Sequence, residues 1–267
     1  MLFSKNRVLL LFLGVGVLGT IFTNCQKQKI NLRNMSPEAQ FEDAKAYFDD
    51  ENYLKAKTQF TIVVLNNPGN RITEKAQFYL GESYFHLKEY ILAIAEYEKL
   101  IRSMPQSDYV DDAFYKVGLC YYELAPGYEL DQDYTYKAIT RFQQFLEDYP
   151  NSDLLPEVTN KLDVSRKKLA KKEFKTGELY RKMGYYKAAV ASFDCVLNEY
   201  DELGFSDSAL YWKGECYRKM REWEESRTAF IDLVKRFPES NWSEKAREKL
   251  KQIQSIMMST DSDAQSS

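Results

Sequence analysis

Histidine occurs once in these 267 residues, at His86, and that removes most acid–base and nucleophilic schemes that depend on an imidazole. Cysteine is present four times, as Cys25, Cys120, Cys195 and Cys216. None of these forms a CxxC pair and the last three are an odd number, so neither a zinc cage nor a disulfide framework is expected. Those three are expected to be half-buried helix residues, since a free cysteine packs as a small apolar side chain. No P-loop, GxGxxG or HExxH occurs, and adjacent carboxylates such as Asp111 with Asp112 and Glu224 with Glu225 point in different directions on a helix. No catalytic group, metal site or bound cofactor is expected, and the chain reads as a non-enzyme.

Glycine (11) and proline (7) are scarce, while tyrosine (20) and phenylalanine (16) are abundant. A chain poor in helix breakers and rich in rings is expected to be all-α and packed through aromatics. The formal charge is -3 and no long block of one sign occurs. A nucleic-acid protein would carry a basic stripe, so that partner class is excluded and a protein or peptide partner is expected.

The N-terminal residues 1–24 have the layout of a secretory signal peptide. Lys5 and Arg7 precede an apolar stretch from Val8 to Phe22, and a run of that length falls short of the roughly 20 residues that span a bilayer. Cys25 follows at once, then the polar Gln26, Lys27, Gln28 and Lys29. This resembles a bacterial lipobox, although Phe22, Thr23 and Asn24 depart from its common Leu, small residue, and Gly or Ala. The resemblance implies that residues 1–24 leave and that Cys25 carries a diacylglycerol and an N-acyl lipid. Two or three acyl chains hold a protein stably on a membrane where one does not. Residues 25–36 then read as the lipidated cysteine and a flexible linker.

Internal repeats settle the architecture. Taking Ala44, Gly81, Gly118, Gly177 and Gly214 as anchors, an aromatic lies three positions before each: Phe41, Phe78, Tyr115, Phe174 and Tyr211. Tyrosine lies three positions after each: Tyr47, Tyr84, Tyr121, Tyr180 and Tyr217. Twelve positions on stand Ala56, Ala93, Ala189 and Ser226, and four further on Phe60, Tyr97, Phe193 and Phe230. In the third unit the same pair, Ala138 and Phe142, comes eight residues late, which marks an insertion at "APGYELDQDYTYK". Proline closes four units, at Pro68, Pro105, Pro150 and Pro238, and Asp201 stands at that place in the fourth.

This pattern resembles the tetratricopeptide repeat from about Ser36 to Gln254. Small residues let two antiparallel helices approach, rings fill the space between them, and proline ends the second helix. The expected fold is all-α, a right-handed superhelical solenoid of five tetratricopeptide helical hairpins. Anchor spacings are 37, 37, 59 and 37 residues. The longest of them holds the insertion and a further breaker-free stretch between Pro156 and Gly177, expected to be one helix of about twice the usual length. Residues 37–151 are then units one to three, 152–255 the long helix with units four and five, and 256–267 a disordered tail.

In such a superhelix the first helix of each unit lines the concave groove. The sites three before and four after the anchor share a face, two helical turns apart. In units one to three they pair Phe41 with Phe48, Phe78 with Phe85 and Tyr115 with Tyr122, an aromatic ladder that is a candidate peptide groove. Packing between neighbouring units is the competing role for all five rings three before the anchors, Phe41, Phe78, Tyr115, Phe174 and Tyr211. Units four and five carry Arg181, Lys182, Arg218, Lys219 and Arg221 instead, a candidate basic docking surface.

The stretch beginning "PGNRITEKAQFYLGESYFHLKEYILAIAEYEKLIRSMPQSDYVDDAFYKVGLCYY", the exit "YPNS", the long segment with "LAKKEF" and the turn "YYKAAV" resemble the BamD family, lipoproteins of the outer-membrane β-barrel assembly machine. The resemblance implies a scaffold at the periplasmic face of the outer membrane. Its C-terminal repeats would dock on a POTRA domain of a BamA-like barrel protein, and its N-terminal repeats would meet C-terminal segments of unfolded outer-membrane proteins. Other envelope repeat lipoproteins, such as a pilus-assembly or Tol-Pal-associated factor, and an adaptor of a cell-wall enzyme are the alternatives.

Overall fold

The computed structural model describes residues 35–265, with side chains as far as Ser259. Cys25, the signal-like segment and most of the linker lie outside the described residues. Within them there are eleven α-helices and no strand: α1 (Pro37–Asp49), α2 (Tyr53–Asn66), α3 (Arg71–His86), α4 (Tyr90–Ser103), α5 (Val110–Leu124), α6 (Asp133–Asp148), α7 (Leu155–Lys182), α8 (Tyr186–Glu199), α9 (Ser206–Met220), α10 (Trp223–Arg236) and α11 (Asn241–Gln265). Each helix packs on the next in sequence, so the first ten are five hairpins in file, a solenoid, and α11 covers the last.

The anchors explain why the hairpins close. A Cβ placed on Gly81 would stand 2.5 Å from the Tyr97 ring, and at Gly118, Gly177 and Gly214 the nearest ring atoms of Phe142, Phe193 and Phe230 would be 2.6, 2.7 and 2.7 Å away. All four rings are fully buried. Each first helix is therefore notched at the anchor to receive one ring from its second helix, and burying such a ring contributes on the order of 2–3 kcal/mol. Unit one keeps the arrangement with Ala44 and Phe60, both fully buried.

The turn inside a hairpin is short because one residue takes the left-handed conformation. It lies seven positions past the anchor, at Glu51 (φ 57°), Lys88 (φ 61°), Gly184 (φ 83°) and Arg221 (φ 63°). Three of these four are not glycine, so each holds a local strain of about 1 kcal/mol. Between hairpins the side chain of Asn70 accepts from the Ile72 N–H at 3.0 Å and caps α3. In unit four, where no proline closes the second helix, a 3-10 turn at Asp201–Leu203 and left-handed Gly204 (φ 84°) end it.

Helix α7 has 28 residues, as the breaker-free stretch predicts. Its first half receives α6, through Phe142 and Phe145 against Val158 and Leu162. The insertion between α5 and α6 folds onto the same helix. The Lys172 Nζ donates to the Leu130 carbonyl at 3.0 Å, the Lys168 Nζ to the Ala125 carbonyl at 3.4 Å, and Lys171 lies 4.3 Å over the Tyr128 ring. Buried Gln132 closes the loop on itself by donating to the Gly127 and Leu130 carbonyls.

Two expectations change. The segment expected as a disordered tail from 256 is helical, since α11 continues to Gln265. No glycine or proline interrupts residues 241–265, so the helix begun under Ile253 and Leu250 propagates through the polar end. Cys120 and Cys216 are fully buried rather than half-buried, and burial pushes both thiols up to about 12; Cys195 is half-buried.

Replacing Gly118 with alanine tests the notch. Helix propensity favours alanine by about 1 kcal/mol, and overpacking against Phe142 costs about 1–3 kcal/mol. A net loss of about 1 kcal/mol is expected in chemical denaturation. A stabilised Gly118→Ala would mean that the ring can retreat and that the anchors do not set the helix spacing.

Candidate functional site

The aromatic row four positions past the anchors is half-buried at Phe48, Phe85 and Tyr122. In the first two units, what covers the ring is the residue two positions before the next anchor. Tyr79 meets Phe48 edge-on at 5.2 Å, and the Lys116 ammonium stands 5.1 Å over Phe85. In unit four the chemistry is inverted, with the Arg181 guanidinium 3.9 Å from the Trp212 ring centre. Tyr122 faces the long helix and meets Lys161 at 4.5 Å, where the regular repeat would have supplied Lys175. The row is thus a line of rings roofed by aromatics and cations from the neighbouring unit.

The three earlier rings do not line a groove. Phe41 and Tyr115 are each only 4% exposed, and half-buried Phe78 packs on Tyr97 at 5.8 Å and Tyr109 at 5.1 Å. Phe41 reaches Tyr79 at 5.8 Å, and the Tyr115 hydroxyl donates to Glu157 at 2.6 Å. Burial and that carboxylate together push the Tyr115 hydroxyl far above its ordinary range. Each ring spans to the next unit, so the expectation that Phe41, Phe78 and Tyr115 form groove walls is corrected: they are inter-repeat packing.

A second set of rings comes from the start of the second helices. Tyr53 meets Phe48 at 5.2 Å and Tyr90 meets Phe85 at 5.4 Å, both edge-on, and exposed His86 stacks on Tyr53 at 4.4 Å. The anchor pattern alone does not single these residues out, though a signal exists. The position nine past the anchor is aromatic in four units, as Tyr53, Tyr90, Tyr186 and Trp223.

At the other end of the solenoid the five basic residues divide. Arg218 makes two hydrogen bonds to Glu215 at 2.9 Å, which raises its pKa. Arg181 lies on Trp212, and its Nε is buried without a hydrogen-bond partner. Lys182, Lys219 and Arg221 are exposed. Beside them stand Leu179 (56% exposed), Met183 (56%) and Tyr185 (59%), apolar residues that the charge pattern does not reveal. Gly184, Tyr185, Tyr186, Lys187, Ala188 and Met220 line a shallow depression there.

The acidic pairs are structural or solvated. Asp111 accepts from Ser152 at 2.8 Å and ties two units, while burial raises the Asp112 carboxyl with Asp111 adding to it. Glu224 and Glu225 are exposed. Among the described residues no cluster of metal-ligating side chains occurs and no helix is long and apolar enough to cross a membrane.

Five stacked hairpins with ring-in-notch anchors define a tetratricopeptide-repeat protein. More narrowly, residues 33–229 match the family model described as "YfiO: Outer membrane lipoprotein", and the chain belongs to that family, the one containing BamD. It is 26% identical over 227 residues to "Outer membrane protein assembly factor BamD" of Rickettsia prowazekii (strain Madrid E), covering 85% of this chain and 90% of that one. A second relative of the same name, from Caulobacter vibrioides, is 28% identical over 112 residues, 42% of this chain and 37% of that one. Among solved structures, the chain is similar to the "TPR2AB-domain:pHSP90-complex of yeast Sti1", at 13% identity and a TM-score of 0.44 over 84% of this chain and 88% of that one.

Because Phe48 touches Tyr53, Phe60, Tyr79 and His86, Phe48→Ala should lower stability by about 1–3 kcal/mol, less than for a fully buried ring. Chemical denaturation measures it. A neutral result would place Phe48 on an open surface after all.

Proposed function

We propose that this chain is a lipid-anchored, non-enzymatic scaffold for assembly of outer-membrane β-barrel proteins, working at the periplasmic face of that membrane. The observation that carries the reading is the similarity to an outer membrane protein assembly factor along 85% of the chain. Cys25, outside the described residues, would carry the diacylglycerol and N-acyl lipid, in keeping with a family of outer membrane lipoproteins.

Two surfaces divide the work. The exposed basic residues Lys182, Lys219 and Arg221, with Arg181 and Arg218 behind them, would dock a POTRA domain of a BamA-like barrel protein through acidic groups, with Met183 and Tyr185 supplying apolar contact. The roofed rings at Phe48, Phe85 and Tyr122 would take C-terminal segments of unfolded outer-membrane proteins that end in an aromatic residue. A terminal carboxylate pairs with the lysines over the rings, and the terminal ring stacks on the aromatic that the lysine uncovers. The exchange is easiest at Tyr122, whose Lys161 cover has no ion pair among the described residues, because a cation–π contact is worth on the order of 0.5–2 kcal/mol.

Three experiments test this. Co-purification from cross-linked envelope should recover a POTRA-bearing barrel protein, and Cys25→Ser should move a folded protein to the soluble periplasm; a membrane-bound, normally processed Cys25→Ser would overturn the anchor. For docking, Lys182→Glu with Lys219→Glu should weaken association with the barrel protein at least tenfold at unchanged melting temperature, since both side chains are exposed. Arg221→Gly adds a separate check, because it removes a charge and relieves left-handed strain. If association survives all three changes, the docking surface lies elsewhere.

A further inference from the structure

Each regular unit presents one face of its first helix to the second helix of the unit before it. Counted from the anchor, that face is at minus five, minus one, plus two and plus six. In α5 it is Ala113, Val117, Cys120 and Leu124, packed under Ile94, Tyr97 and Leu100 of α4. In α9, Ala209, Cys216 and Met220 of this face lie under Val190, Phe193 and Val196 of α8. In α7 the same four positions are Lys172, Thr176, Leu179 and Met183.

Helix α7 carries this face twice. The preceding helix, α6, sits on Val158 and Leu162, followed along the helix by buried Ser165 and Leu169. Position for position, Val158 answers to Lys172, Leu162 to Thr176, Ser165 to Leu179 and Leu169 to Met183, a constant shift of about four helical turns. The extra turns have carried α6 upstream and left the second copy of the face without a covering helix, the insertion reaching only its Lys172 end. Leu179 and Met183 are 56% exposed, and Leu130 of the insertion, beside Lys172, is 61% exposed.

We propose that this second face of α7 is a docking slot for an amphipathic helix of a partner protein. The chain itself shows what covers such a face: a helix with apolar side chains at three positions spaced i, i+3 and i+6, as in Ile94, Tyr97 and Leu100. The partner helix would carry carboxylates on its flanks. Lysine replaces the alanine found at minus five in units two, three and five, and residues 171–182 hold Lys171, Lys172, Lys175, Arg181 and Lys182 against only Glu173 and Glu178. A second helix of this chain's own repeats does not fill the slot, because all five are committed to their neighbours.

The slot shares Met183, Arg181 and Lys182 with the surface proposed for docking, so the test reads a defined peptide and separates the two through Leu179 on one side and Lys219 with Arg221 on the other. The probe is a hydrocarbon-stapled peptide carrying residues 90–103, the sequence of α4, with a control bearing alanine at Ile94, Tyr97 and Leu100. The first should bind the full-length protein saturably and the control should not. Leu179→Lys with Met183→Lys should weaken binding at least tenfold at unchanged melting temperature, while Lys219→Glu with Arg221→Gly leaves it intact. Absence of saturable binding, or binding indifferent to the Leu179 and Met183 changes, overturns the proposal. Sedimentation of the protein as a dimer that Leu179→Lys dissolves would also overturn it, by giving the face to a second copy.

Discussion

The contact on which the rest depends is an aromatic ring laid against a bare α-carbon. At Gly81, Gly118, Gly177 and Gly214 there is no room for even one added carbon, so the two helices of a hairpin approach as closely as ring thickness allows. That closeness fixes which faces remain. With the notch side given to its own partner, the first helix must offer its minus-five to plus-six face to the preceding unit, where Ala76, Ala113 and Ala209 are fully buried. Stacking follows, because a hairpin alone would leave that face wet. Ion pairs such as Lys57 with Glu89 at 3.1 Å and Arg141 with Glu98 at 2.7 Å stitch neighbouring units, and as partly exposed pairs they add specificity of register more than energy.

One departure from the period accounts for most of what is irregular. The slip in α7, from Lys172 back to Val158, moves the seat of α6, substitutes Lys161 for the regular cover of Tyr122, and lengthens the helix beyond what its neighbours can shield. The insertion in the third unit answers this. Its carbonyls and Tyr128 meet Lys168, Lys171 and Lys172 along the stretch that α6 vacates, and burial lowers the Lys168 pKa. Two insertions that the whole of α6 separates in sequence are one feature in space.

The repeat, the hairpins and the long helix were legible in the sequence because each rests on local spacing: small anchors, rings sixteen positions on, and an absence of breakers. The state of the aromatic row was not. Whether Phe85 is open depends on Lys116, and whether Phe48 is open depends on Tyr79, each supplied by the first helix of the following unit. Taking positions four past one anchor together with two before the next pairs them. The helical tail escapes a sequence reading for a different reason. Its polar composition suggests disorder, yet composition alone does not stop a helix already nucleated upstream by buried Ala246 and Ile253.

The same pairing rule fixes the chemistry of the aromatic row. Along the units, the ring-or-cation at plus four meets Tyr79, Lys116, Lys161 and Trp212 in turn. A lysine over phenylalanine hides the ring from water while keeping a positive charge at the surface; an arginine over tryptophan buries its own Nε and commits the guanidinium to packing. These are unequal covers. Lys161 has no carboxylate holding it among the ion pairs of the described residues, whereas Lys116 is also held by Glu82 at 2.8 Å, itself only 8% exposed. Displacing Lys161 from Tyr122 therefore costs little more than its cation–π contact, with Lys168 at 5.8 Å left over the ring, and displacing the cover of Phe85 breaks a partly buried ion pair as well. On the proposed reading, a peptide entering along the row would open it first at the junction with the long helix, where the period slips, beside the second copy of the repeat face on α7 that no second helix covers.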